Sequence, residues 1–202
     1  MTPKFLPPSS RLISALILAG GQSSRMGSDK AFVCWQGVPL LRRVCDVAQH
    51  CCASVSVLSP WPHKYEAILP KQIQMVHETE PGQGPLVGLY HGLGATQSTW
   101  VLLLACDMPC LDPRVLQRWI TQLEAPESEE FARVPYHHER WEPFCGMYHQ
   151  AARASLKQYI DQGGRSFQRW LAQASVKAIA LDTALSPMFW NCNTPTDLRR
   201  EV

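Results

Sequence analysis

The sequence predicts an α/β fold: a mostly parallel sheet with helices on both faces and a small antiparallel insertion. Three observations carry this. The runs "ALILAG" and "WVLLLACD" are almost continuously apolar over strand length, as in strands buried on both faces, and "SVSVLS" is a further strand-length run. Segments with helical spacing separate them, the rhythm of a parallel sheet with crossovers. After the acidic stretch "EAPESEE" the rhythm changes, and "FARVPYHHERWEPFCGMYH" reads as two β segments joined through the polar "HHER", an antiparallel insertion.

The elements follow in order. "ALILAG" is the first strand. "PLLRRVCDVAQHCC" starts a helix at Pro39, a good first-turn residue, and sets Leu40, Val44, Val47 and Cys51 on one face. "SVSVLS" and "IQMVHE" are the second and third strands, and "LVGLYHGLGAT" a short helix. "WVLLLACD" is the strongest strand. In "DPRVLQRWITQLE" Asp112 is the expected N-cap, with Pro113 behind it. After the insertion come two helices, "QAARASLKQYIDQG" and "SFQRWLAQA", then the strand "VKAIALD" and the tail "FWNCNTPTDLRREV".

Residues 1–10, with three prolines, read as a loose leader, and 11–202 as a single domain long enough to bury its own core. Lys4 and Arg11 before "LISALILAG" imitate a signal peptide, but the apolar run is too short to span a bilayer, and cleavage would discard the chemistry that follows. A formal charge of +2 and 46% hydrophobic residues give no general case for a nucleic-acid or membrane-surface protein. Any anion site must be local. The eight cysteines form no C-x-x-C pair and, with the histidines, no zinc-finger spacing. They read as reduced cytoplasmic thiols rather than as a disulfide framework.

In an open α/β sheet, ligands bind beyond the carboxyl ends of the strands. The Gly20–Lys30 loop, Glu78 and Asp107 all fall at such ends. In "LILAGGQSSRMGSDK" an apolar strand breaks at Gly20 and Gly21, where turn amides together with Arg25 and Lys30 suit an anion. The loop is neither a Walker A sequence nor a three-glycine dinucleotide fingerprint, and a plain solvated turn stays open. Asp107 closes "LLLACDMP", where one carboxylate can hold Mg²⁺ while phosphates supply further ligands. Capping of a turn before Pro109 is the other reading. In "HETEPGQGPLVGL" the backbone around Gly82 and Gly84 can approach a flat base, and Glu78 can accept from a ribose or base edge. In "WNCNTPTDL" Asn191 and Asn193 alternate as at a strand end, offering paired amides; the competing role is capping of the last helix by Asn193 or Thr194. The tryptophans Trp35, Trp141, Trp170 and Trp190 read as packing residues, and no histidine is assigned to a metal.

The segments "LAGGQSSRMGSDKA", "PGQGPLVGL", "LLLACDMP" and "NCNTPTDL", in this order, resemble the molybdenum cofactor guanylyltransferases, nucleotidyltransferases with a Rossmann-like sheet. The similarity covers nearly the whole chain after Ser10. It implies transfer of GMP from GTP to the terminal phosphate of molybdenum-bound molybdopterin, with release of pyrophosphate. By motif position, Leu18, Ala19, Gly20 and Gly21 would cradle the nucleotide, with Lys30 on its phosphates and Arg25 in the same loop. Asp107 would hold Mg²⁺ and the GTP phosphates, Glu78 would belong to the GTP site, and Asn191 and Asn193 would lie toward molybdopterin. The implied partners extend to molybdenum-insertion proteins and to target molybdoenzymes or their chaperones. Where the family usually ends its third strand on Asp, this chain has Glu78, and where some members carry Asn after the second strand it has Leu58. The second glycine of "LAGG" favours guanylyl over cytidylyl transfer, since cytidylyl relatives usually read "LAAG". The other readings are cytidylyl or sugar-phosphate nucleotidyl transfer on the same fold, and a non-catalytic molybdopterin carrier.

Overall fold

The computed structural model describes residues 13–20, 29–124, 130–194 and 196–197. The central strands are β1 (Ile13–Leu18), β4 (Ser54–Ser59), β5 (Gln74–His77) and β6 (Trp100–Ala105), joined by parallel pairings β5–β4, β4–β1 and β1–β6. Beyond β6 lie β9 (Met147–His149), β7 (Ala132–His137) and β10 (Val176–Ala180), giving the order β10-β7-β9-β6-β1-β4-β5, with β8 (Arg140–Trp141) paired on to β7. Only β9 on this path opposes both its neighbours among the described residues.

Successive residues of a strand face opposite sides, so each strand feeds two cores. Ile13, Ile17, Val57, Leu102 and Leu104 pack under α1 (Leu40–Cys51) and α3 (Pro113–Thr121). Leu16, Leu58, Leu103 and Val134 pack under α2 (Pro85–Gly94), α4 (Ala152–Asp161) and α5 (Phe167–Leu171). Both faces are covered, which is why β1 and β6 are apolar almost throughout, while β4 carries serines between its buried valines. Contact between α2 and β1 is close: a Cβ on Gly92 would fall 2.0 Å from Cδ2 of Leu16. The expected cap forms at Asp112, and Ser166 supplies a further one. Asp112 accepts from the amide of Arg114 at 2.7 Å, with Pro113 at the first position, and Ser166 accepts from Arg169 at the start of α5.

Two local readings of the sequence are corrected. Pro39 stands at the N-cap of α1 rather than in its first turn, and it also ends a short strand. Cys34–Trp35 (β2) and Val38–Pro39 (β3) form a hairpin turned by Gln36 and Gly37, both at positive φ, as two-residue hairpin turns demand. The buried stripe of α1 is Leu40, Leu41, Val44, Cys45, Ala48 and Cys51, with Val47 half-buried.

The antiparallel piece, in turn, is no appendage. Its second segment breaks at Pro143, which has no N–H for a ladder. The chain then re-enters as β9 in the middle of the sheet, between β6 and β7. The entry is a bulge: Cys145 donates to the carbonyl of Leu103 and the Leu103 amide donates to Gly146, so two residues oppose one.

All eight cysteines are free thiols, and burial pushes Cys45 and Cys51 up to about 12. No helix among the described residues is long and apolar enough to cross a membrane.

Candidate active site

From β1 the chain winds outward through β4 and β5, then crosses back to place β6 on the other side of β1. The crevice at the carboxyl ends of β1 and β6 is therefore the topological switch point of the sheet, where ligands bind in open α/β folds. Leu18, Ala19 and Gly20 lie at one lip, and Cys106 and Asp107 at the other.

The first lip is held tightly. Ala19 is buried and donates its amide to Leu58 at 2.9 Å. Gly20 has φ +152°, and a Cβ there would stand 2.5 Å from Cδ of Pro60, so the position tolerates no side chain. Gly20→Ala should accordingly lower the melting temperature and impair nucleotide binding together. Thermal unfolding paired with GTP titration checks this, and a variant with native values for both would contradict it. Gly21 and Arg25 lie outside the described residues.

The chain resumes at Asp29, which organises the turn into Lys30. Its Oδ1 accepts from the Ala31 amide at 3.1 Å, capping the short 3₁₀ turn Lys30–Phe32, while Oδ2 accepts from the buried Tyr65 hydroxyl at 2.9 Å and faces Lys64 Nζ at 2.7 Å. Burial pushes this carboxyl up, but Lys64, the Ala31 amide and Tyr65 together outweigh it and hold the group below its ordinary value. Since the folded-state carboxyl ionises below its unfolded counterpart, its stabilisation is complete above about pH 4 and is lost as the pH falls through the folded value. The stability gap between the native protein and Asp29→Asn should hence shrink on acidification from pH 6 to pH 3 in denaturant melts. A gap independent of pH would refute the assignment.

Lys30 is the hub. Its Nζ donates to Asp107 Oδ2 at 3.0 Å and to Asn193 Oδ1 at 2.6 Å. Lys30 and Asp107 are each 19% exposed, open enough for a ligand and closed enough for their charges to be felt. Among the described residues the Asp107 carboxylate bonds to Lys30 rather than to a turn amide, and its backbone carbonyl accepts from Cys192 at 2.8 Å, stitching the tail to the end of β6.

The tail arrives without a strand, contrary to the alternation read from sequence, because residues 191–193 follow the 3₁₀ turn Thr183–Phe189 as irregular chain. Capping there is done by Asp197, whose Oδ2 accepts from the amides of Asn193 and Thr194 at 2.8 Å each. The Asn193 side chain is thus directed to Lys30. Its Nδ2 lies 3.5 Å from the Asn191 carbonyl, and among the described residues no hydrogen bond joins the Asn191 side chain to Lys30.

Glu78 forms a separate corner. Its amide donates to Ser59 at 2.9 Å, extending the β5–β4 ladder. Three strand spacings, roughly 14 Å, separate the β5 and β6 positions. Burial pushes the Glu78 carboxyl up, with His91 opposing the shift. Leu58 is 2% exposed in the apolar core, and its backbone carbonyl serves the loop. Sequence reasoning passed over Asp29 and Tyr65; the Asp at the cap position before Lys30 was the available signal for the first, and nothing local marked the second.

Among the described residues no group of three or more histidine, cysteine, aspartate or glutamate side chains converges on a metal position. A single carboxylate at Asp107 nonetheless fits Mg²⁺, which takes one or two carboxylates and completes its shell with water and substrate phosphates.

The chain is 47% identical over 186 residues, 92% of its length and 88% of the relative's, to a "probable molybdenum cofactor guanylyltransferase" of Trichormus variabilis. A Synechococcus elongatus protein of the same name is 41% identical over 188 residues, covering 91% of this chain and 95% of its own. Among solved structures, molybdopterin-guanine dinucleotide biosynthesis protein A from Archaeoglobus fulgidus shares the fold, with a TM-score of 0.73 at 22% identity over 92% of this chain and 95% of that one. A family model, the MobA-like NTP transferase domain, matches residues 15–176. By these matches, the chain belongs to the MobA-like NTP transferase family.

Proposed function

We propose that this enzyme transfers GMP from GTP to molybdenum-bound molybdopterin, forming the guanine dinucleotide of the cofactor and pyrophosphate. The observation that carries the reading is the Lys30–Asp107–Asn193 cluster at the switch point, in a chain 41–47% identical to proteins named for this activity. A terminal phosphate oxygen of molybdopterin attacks the α-phosphorus of GTP, and the bond from that phosphorus to the β-bridging oxygen breaks. The nucleophile is already an anion, so no general base is required.

The residues have to hold two anions together and stabilise the departing charge. Lys30 exchanges its carboxylate partner for phosphate oxygens. Asn193, which accepts from Lys30, keeps the ammonium aimed into the crevice and faces the acceptor side with Asn191. Leu18, Ala19, Gly20 and Gly21 cradle the nucleotide, and Arg25 adds positive charge to the loop. Glu78 offers a carboxylate to base or ribose donors. Asp107 would hold Mg²⁺, which would supply charge neutralisation on the phosphates. GTP as donor, together with free buried thiols, supports the cytoplasm as the working compartment. Molybdenum-insertion proteins and target molybdoenzymes or their chaperones are the proposed partners upstream and downstream.

A nucleotide panel tests the reading. With molybdenum-bound molybdopterin and Mg²⁺, GTP should be consumed and CTP, ATP and sugar phosphates with UTP should not. Consumption of CTP in preference to GTP would move the enzyme to the cytidylyl class.

A further inference from the structure

Trp61 is half exposed, at 50%, whereas Trp35, Trp100, Trp119 and Trp170 are buried and Trp141 and Trp190 partly so. It stands just past the carboxyl end of β4, one strand from the crevice. Its position is fixed from below by Ser59, which is fully buried: the Ser59 Oγ accepts from the Trp61 amide at 3.1 Å, and the Ser59 carbonyl accepts from the Glu78 amide at 2.9 Å. One buried residue therefore anchors both the indole-bearing backbone and the carboxylate-bearing backbone. Between them and the phosphate lip, Pro60 packs against Gly20.

The indole is also tied to the charged cluster. Lys64 Nζ lies 5.3 Å from the ring centroid and 2.7 Å from Asp29 Oδ2, and Asp29 adjoins Lys30. Phe32, itself 36% exposed, has its ring 5.9 Å from the same ammonium. A large aromatic surface is thus kept in water at the rim of an anion site, held by a cation on one side. The neighbouring β4 residue Leu58 offers no edge-reading group, because it is sealed in the core.

We propose that Trp61 is the stacking platform for the nucleotide base. The proposal rests on the nucleotide reading above and adds to it the residue that receives the ring. With phosphates at Lys30 and Asp107, a base reaching toward Glu78 passes over the end of β4, where the indole offers its exposed surface. Stacking accepts any base, because every base has a π-face. Trp61 therefore supplies affinity, and the choice of guanine falls to groups that read its edge.

The test compares native protein, Trp61→Ala and Trp61→Phe in calorimetric titrations with GTP, ATP and inorganic tripolyphosphate. Trp61→Ala should bind GTP about tenfold to a hundredfold more weakly, the range for losing one base–aromatic stack, with a proportionate loss for ATP. Trp61→Phe should stay within about threefold of native, since a phenyl ring still stacks. Tripolyphosphate, which has no base, should bind all three alike. GTP should also shield the native protein, but not Trp61→Phe, from acrylamide quenching of its exposed tryptophan fluorescence. Unchanged GTP affinity in Trp61→Ala would overturn the platform while leaving the nucleotide reading in place, as would equal weakening of tripolyphosphate, which marks a structural effect. A native protein that binds neither GTP nor tripolyphosphate would overturn both.

Discussion

Asp107→Asn is expected to cut GMP transfer by about 10²–10³-fold, the scale for removing one preorganised electrostatic group from a transition state. The backbone of residue 107 is fixed independently of its side chain, through the end of β6 and the 2.8 Å hydrogen bond from Cys192. The exchange of one oxygen for an amide group keeps the volume. What is lost is a charge opposite Lys30 and an anionic ligand for a hard cation, for which a neutral amide is a poor substitute. The pair is partly solvated, so its loss should lower stability by no more than about 1 kcal/mol. Activity and folding therefore separate: pyrophosphate release nearly vanishes while the thermal midpoint barely moves. Excess Mg²⁺ should restore little. If transfer survived in the asparagine variant, the carboxylate would be a structural partner of Lys30 and nothing more.

Lys30→Ala should have the second largest effect, about 10²-fold in kcat/KM, with a raised KM for GTP. Alanine leaves Asp107 and Asn193 facing the crevice with no cation between them, so incoming phosphates meet a carboxylate instead of an ammonium. Lys30→Arg should recover only part of the loss. Guanidinium keeps the charge, but its planar fork does not reproduce a point donor that reaches Asp107 at 3.0 Å and Asn193 at 2.6 Å from one nitrogen. Arg25→Ala should act in the same direction. Steady-state kinetics across GTP concentrations measure all three, and native turnover in both alanine variants would remove the loop from the phosphate site.

The sequence was most informative where chemistry is local. Buried strands announce themselves by continuous apolar runs, and the Asp112–Pro113 start of α3 is a cap that one dipeptide specifies. The meeting of Lys30 and Asp107 was legible because both follow strands whose carboxyl ends lie side by side in an α/β sheet. Other features depend on contacts that no local pattern encodes. Asn193 is 163 residues from Lys30, and their hydrogen bond depends on the tail being stitched to β6 through Cys192. Three residues of β9 sit in mid-sheet because their partners are in β6 and β7, while Pro143 hides the register from any reading of alternation. The β2–β3 hairpin has two-residue strands, too short for a periodic signal, and Gln36 at positive φ lacks the usual Asn or Asp. Trp61 follows a proline in an ordinary-looking loop, and only its exposure beside Ser59 and Lys64 sets it apart.

The most direct test of the central claim is pyrophosphate release by the purified protein supplied with GTP, Mg²⁺ and molybdenum-bound molybdopterin, each omitted in turn. A phosphate-binding crevice that joins two anionic substrates around Lys30 and Asp107 predicts release only when all three are present, in a one-to-one ratio with the guanine dinucleotide formed. Binding of molybdopterin without any pyrophosphate would contradict it and make the protein a carrier, and release that needs no molybdopterin would place the acceptor elsewhere.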